Sequence, residues 1–205
     1  ALRDRLFGTG AGVGQDGVVS VPQPFPTLTW SRALDRPDLL AEPTAAALRA
    51  WAAAEPAVAD GALVTEIDPA LADTAALTAA YDLPLEVSAN CVVVLGRRGG
   101  EERPGAAVVP ATTRADVNNL VRRRLDARKA SFMPMDAAVA ATAMEYGGIT
   151  PVGLPEGWPV LVDARVAAAP WVVLGSGVRR SKLAMPGPLL ATMPGVEVVE
   201  GLGLA

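Results

Sequence analysis

The stretch Gly147-Gly148-Ile149-Thr150-Pro151-Val152-Gly153 decides how this chain is read. It packs three glycines and a proline into seven residues, and the apolar run Pro159-Val160-Leu161-Val162-Asp163 soon follows. Glycine allows positive φ and lets the backbone come close to a ligand. Proline fixes the exit of the turn. Such a loop can be plain turn punctuation between two strands. It can equally present a row of N–H donors to a carbonyl or an oxyanion.

Outward from this loop, helical and strand patterns mix. Toward the N-terminus, Asp136 is placed to cap a helix over 137–144, and 130–133 reads as a short strand. Val117, Leu120, Val121 and Leu125 lie at helical spacing, predicting a helix over 116–125. The run Cys91-Val92-Val93-Val94 centres a strand over 87–95, with a polar hairpin loop over 97–104 and a return strand over 106–109. Further back come a helix over 70–81, a strand over 62–67, and a helix from Thr44, its expected cap, to Ala54. Toward the C-terminus, strands are expected over 160–162, 171–174 and 196–199, with one helical turn over 188–190. There is no clean strand–helix–strand rhythm, which predicts an α+β fold with a mostly antiparallel or mixed sheet.

Residues 1–43 read as a Gly/Pro-rich N-terminal extension, and 44–205 as the main domain. The run Gly8-Thr9-Gly10-Ala11-Gly12-Val13-Gly14 has no preceding strand and no G-x-G-x-x-G frame, so it reads as a loop, not a dinucleotide site.

Composition excludes several chemistries. The 205 residues are 51% hydrophobic, enough for a sizeable core. There is no histidine, which removes Ser-His-Asp and Cys-His catalysis as usually built. With one cysteine, Cys91, and no histidine, a zinc site is not expected. The single cysteine and the absence of a signal-peptide pattern point to a reducing cytoplasm. No apolar run reaches the roughly 18 residues of a bilayer span. The net charge is −4, unevenly spread. Two basic clusters, Arg122-Arg123-Arg124 with Arg128 and Lys129, and Arg179-Arg180 with Lys182, could meet a polyanion or simply form solvated faces.

Five stretches in order resemble the YbaK/prolyl-tRNA-editing family of aminoacyl-tRNA deacylases. They are 66–69 (EIDP), 83–94 (LPLEVSANCVVV), 142–153 (TAMEYGGITPVG) with G-x-x-x-P at Gly147 and Pro151, 160–163 (VLVD), and 172–179 (VVLGSGVR). The resemblance covers roughly Thr44 to Leu204. It implies a barrel-like mixed sheet flanked by helices. It also implies hydrolysis of the ester joining a mischarged amino acid to the 3′ end of a tRNA, in trans, without metal or cofactor. The backbone of Gly147, Gly148, Ile149, Thr150 and Pro151 would hold the ester carbonyl or the terminal ribose. Tyr146, Asp163, Gly175, Ser176, Gly177, Arg179 and Lys182 would bind substrate. Arg122, Arg123, Arg124, Arg179 and Arg180 would meet the tRNA backbone. A synthetase is a further implied partner.

The chain departs from the family at one catalytic position. Many members carry a lysine at the start of the central strand, where this sequence has Asn90. Asparagine donates and accepts hydrogen bonds but carries no charge. Three readings stand open. Asn90 serves in a different role; Lys182 or Arg179 supplies the charge; or the protein binds aminoacyl-tRNA or a synthetase without hydrolysing anything.

Overall fold

A computed structural model describes residues 20–205, so the glycine run 8–14 lies outside the described residues. Ala89–Arg98 (β3) and Glu101–Pro110 (β4) form the longest hairpin. The polar stretch expected to loop out over 97–104 is mostly strand. Its turn is only Gly99-Gly100, at φ 59° and 86°. Two positive φ values in a two-residue turn match the twist of the flanking strands. The polar residues then pair across the ladder, Arg97 opposite Glu102.

This hairpin sits in a five-stranded sheet. Lys129–Phe132 (β6) adds antiparallel to β3, while Val160–Asp163 (β7) adds parallel to β4 and Val196–Val199 (β10) parallel to β7. A second, antiparallel sheet orders Ser31–Arg32 (β1), Leu63–Glu66 (β2), Ser181–Met185 (β9) and Val172–Gly175 (β8). Arg114–Ala115 (β5) and Gly203–Leu204 (β11) make a small pair. The fold is thus mixed α+β, and none of the three sheets closes on itself. One parallel bridge, Ser88 to Val173, joins the two large sheets where β3 begins.

The helices differ from expectation at their starts. Glu42–Ala54 (α1) begins two residues before Thr44, with Pro43 in its first turn, where a missing N–H and a fixed φ do no harm. Thr44 is buried and caps nothing. Ala57–Gly61 (α2) follows. The helix expected over 70–81 is broken into a 3-10 turn, Pro69–Leu71, and Thr74–Tyr81 (α3), because Asp73 caps α3 by accepting from Ala75 N. After Asp116, which accepts from Asn119 N and Leu120 N, the chain winds wide over Val117–Val121 and tightens at Arg122–Arg124 (α4). Met135–Thr142 (α5) starts behind Pro134, so Asp136 lies inside the first turn and is not its cap. Ala164–Ala168 (α6) and Gly187–Leu190 (α7) complete the set.

The main core lies between the large sheets and α1, with Leu48, Trp51, Val58, Val108, Val162, Leu183 and Leu190 buried. A second cluster under α4 holds Val94, Val121, Leu161 and Leu202. A third collects Trp30, Leu63, Leu77, Val173 and Ala184. Leu28, Trp30, Leu39 and Leu40 are all buried, so the chain before Thr44 packs into these cores from Leu28 onward. Among the described residues no helix is long and apolar enough to cross a membrane.

Candidate functional site

Where the two large sheets meet, β3 and β8 diverge around a cavity of about 570 Å³. That volume lies within the range of small-ligand sites, about 300–1,000 Å³. Its apolar wall comes from Leu77 on α3, Val93 on β3, Ala138 on α5, and Val173 and Leu174 on β8, all buried. Cys91 belongs to this wall. It is only partly buried as a residue, yet loss of hydration pushes its thiol up to about 12, so it stays protonated. Phe132, Met135 and Tyr146 line the cavity and are exposed, forming an apolar rim.

The polar groups enter from β3 and the residue before it, from β9 and from the start of α3. Asn90, on β3, accepts at Oδ1 from Thr74 Oγ1 at 3.0 Å. With Oδ1 engaged, its Nδ2 group remains to donate to an occupant. Ser88, just before β3, lines the cavity with a buried hydroxyl that has no hydrogen-bond partner among the described residues. Lys182 reaches in from β9, and Asp73 stands at the start of α3. Burial pushes the Lys182 ammonium down to about 8, opposed by Asp73 and reinforced by Arg179.

The glycine loop forms the remaining wall. Gly148 N donates to Glu145 O at 2.9 Å and Thr150 N points at the Met144 sulfur at 3.5 Å. Neither Gly147 N nor Ile149 N has a partner among the described residues, and both residues line the cavity. The loop is held from behind by the turn Gly175-Ser176-Gly177. Gly177 N donates to Gly148 O at 2.7 Å and Glu145 N donates to Gly177 O at 2.8 Å. A Cβ on Gly175 would collide with Gly148 O and stand 2.5 Å from Ile149 O, so only glycine allows the two segments to touch. Arg179 closes the corner, donating to Tyr146 O at 3.2 Å and Pro69 O at 3.0 Å, while its N–H donates to Glu145 Oε2 at 2.6 Å.

A model of the aminoacyl-tRNA editing domain matches residues 68–192, more than half of the sequence. The chain belongs to the aminoacyl-tRNA editing domain family. Solved structures share the fold. A protein described as a proposed trans-editing enzyme for prolyl tRNA synthetase superposes with a TM-score of 0.64 at 17% identity, over 80% of this chain and 99% of its own. A hypothetical protein gives 0.65 at 18% identity, over 77% and 99%. A scaffold used for computational epitope grafting gives 0.64 at 18%, over 80% and 99%. No curated protein matches the sequence.

This editing domain brings together Asn90, Tyr146, Gly147, Ile149, Gly175, Arg179 and Lys182. It places the other expected site residues elsewhere. Gly148 is buried against Val178, and Ser176 and Gly177 lie behind the loop; Ser176 Oγ bonds Ser181 Oγ at 2.7 Å. Thr150 is buried. Pro151 faces a different cavity, shared with Trp51 and Trp158. Asp163 is fully buried and occupied. Burial raises its carboxyl, but Arg165, the Gly203 N–H and the Arg165 N–H outweigh this and hold it below its ordinary value. Arg122, Arg123, Arg124 and Arg180 do not line the cavity. Arg124 pairs with Glu197, Arg122 donates to Asn118 O, and Arg180 donates to Asp38 O.

The sequence reading passed over Asp73, Thr74, Ser88 and Phe132, all in the cavity wall. For the first pair a signal existed. An Asp followed by Thr inside an apparent helix is a capping pattern, and it would have split that helix. Ser88 and Phe132 carry no comparable signal, because what distinguishes them is burial in one case and exposure in the other.

Proposed function

We propose that the protein is a trans-editing deacylase that hydrolyses the ester of a mischarged aminoacyl-tRNA. The observation that carries this is a cavity lined by Asn90 together with Gly147 and Ile149, whose amides have no partner among the described residues. Two backbone donors fixed by the Gly175–Gly177 turn suit an ester carbonyl whose oxygen gains negative charge. Asn90 Nδ2 suits a ribose hydroxyl. The apolar wall of Leu77, Val93 and Val173 suits a small uncharged side chain, and Phe132 and Tyr146 on the rim suit the face of the terminal adenine. The attacking group is water, and the substrate's own ribose hydroxyl assists.

The tRNA body would extend along β6, which runs from Lys129 to Phe132 and packs beside Val117–Val121. In this reading residues 44–205 form the editing unit and 1–43 an N-terminal extension, of which Leu28, Trp30, Leu39 and Leu40 pack into its cores. The site of action is the cytoplasm, with a synthetase as a potential handover partner. Asn90 favours a second reading: a module that binds the acceptor end of tRNA, or a synthetase, without turnover.

Single-turnover deacylation of a panel of mischarged tRNAs, including alanyl- and cysteinyl-tRNA for proline, tests both. Wild-type hydrolysis above background supports the enzyme. Background rates with every substrate sink it. Activity that emerges only in Asn90→Lys supports the binding module.

A further inference from the structure

We propose that Lys182 is a catalytic residue of this site, and that its ammonium faces the oxyanion formed from the scissile ester carbonyl. This rests on the deacylase reading above and adds to it the source of positive charge.

Lys182 is the second residue of β9, paired between Thr65 on β2 and Gly175 on β8. Side chains alternate along a strand. Leu183 and Met185 enter the main core, while Lys182 and Ala184 point to the opposite side, and there Lys182 lines the cavity. It is only 6% exposed. Its Nζ donates to Ala72 O at 2.7 Å, and among the described residues no carboxylate lies within ion-pair distance. An ammonium has three hydrogens, and Ala72 takes one. A buried, unpaired charge is unfavourable unless something negative arrives to meet it. Asn90 is neutral, and the Arg179 guanidinium donates to Tyr146 O and Pro69 O, so Lys182 is the buried cation of the cavity with donors left to give.

The step balances without any further reagent. Water adds to the ester carbon, and the carbonyl electron pair moves onto oxygen, facing Lys182 and the Gly147 and Ile149 amides. The carbonyl then re-forms and the bond to the ribose oxygen breaks. The proton released by water passes to that ribose oxygen, directly or through the neighbouring hydroxyl. The products are the free amino acid and the tRNA hydroxyl, and Lys182 keeps its proton throughout.

The same proton gives the test a second readout. Lys182 loses it near pH 8, within reach of experiment. The charged and titratable groups that share its cavity are Asp73, Arg179, Tyr146 and Cys91. Cys91 titrates only near about 12 and is silent in this window.

Single-turnover deacylation is measured at saturating protein for wild type and Lys182→Met, together with tRNA affinity and, for wild type and Tyr146→Phe, the rate from pH 6.5 to 9.5. The expected loss in Lys182→Met is about a hundredfold in rate, as for removal of one oxyanion donor, with affinity changed less than about threefold. The acceleration over uncatalysed hydrolysis should fall above pH 8 in wild type and in Tyr146→Phe alike. An active wild type with an undiminished Lys182→Met, or with no bend near pH 8, overturns the role of Lys182 and leaves the deacylase reading standing. A wild type inactive on every substrate removes the reading itself. Should Lys182→Met fail to fold, the pH profile decides alone.

Discussion

Lys182 loses its hydration in the middle of a sheet, and that loss has a thermodynamic signature independent of catalysis. In the unfolded chain its ammonium titrates at the ordinary 10.5; in the folded chain burial lowers this to about 8. Below pH 8 both states hold the proton, and the folded state carries the full penalty. Between pH 8 and 10.5 the folded state has released its proton while the unfolded state keeps it, so stability rises with pH across that window. Lys182→Met should therefore stabilise the fold at pH 7. The lowered titration is equivalent to about 3 kcal/mol, and orphaning Ala72 O takes back about 1 kcal/mol, leaving a gain of about 2 kcal/mol. Urea unfolding at pH 7 and pH 10 checks it: the variant gains at pH 7, and the difference shrinks at pH 10. A variant less stable than wild type at pH 7 would show that the lysine is there for structure. A variant that gains stability and loses activity is what a functional residue produces.

The loop and the turn behind it work as one element, because their backbones touch. Gly175→Ala tests this. Its Cβ would enter the space of Gly148 O and Ile149 O, both backbone atoms that cannot rotate away. The expected loss is about 1–3 kcal/mol of stability from overpacking, together with a larger loss of any deacylase rate, since the Gly147 and Ile149 amides would move. Gly157→Ala is the control. Gly157 sits at φ +80° with open space around it, so that variant bears only backbone strain. Thermal unfolding and single-turnover rates of the two variants separate loop displacement from general destabilisation.

At this scale the sequence was partly legible. The apolar runs at 91–94, 160–162 and 172–174 predicted β3, β7 and β8, because uninterrupted Val and Leu have few other uses. The glycine loop was legible as a tight turn because three glycines and a proline fall within seven residues, and it lines the cavity at Gly147 and Ile149. Strand β9 was not, because Ser181-Lys182-Leu183 follows two arginines and places a charge where a central strand ordinarily carries none. Asp73 was missed because the alanines around it, Ala70, Ala72, Ala75 and Ala76, continue a helical pattern straight through a cap. Asp163 and Ser176 read as site residues because a polar residue beside a glycine turn looks alike whether it faces a cavity or, as here, satisfies buried backbone.

Under the proposed function, charge across the whole molecule is divided between a site for one amino acid and a surface for a polyanion. The net charge of −4 opposes general attraction to tRNA, so any attraction has to be local. On α4 and the turn after it, Arg122 is tied to Asn118 O and Arg124 to Glu197. Among the described residues Arg123 and Arg128 make no such contact, and they lie on the segment leading into β6, whose far end, Phe132, stands on the cavity rim. If the acceptor stem runs along this surface, each of these two arginines releases about one counterion on binding. The double variant Arg123→Ala/Arg128→Ala should weaken tRNA binding at low salt and flatten the plot of log affinity against log salt by roughly 1–2. Its single-turnover rate at saturation should stay unchanged, because neither arginine lines the cavity. A salt slope identical to wild type would place the tRNA on another face, with the cavity and its chemistry untouched. A lost saturating rate with an unchanged slope would instead mean that this surface shapes the site through β6.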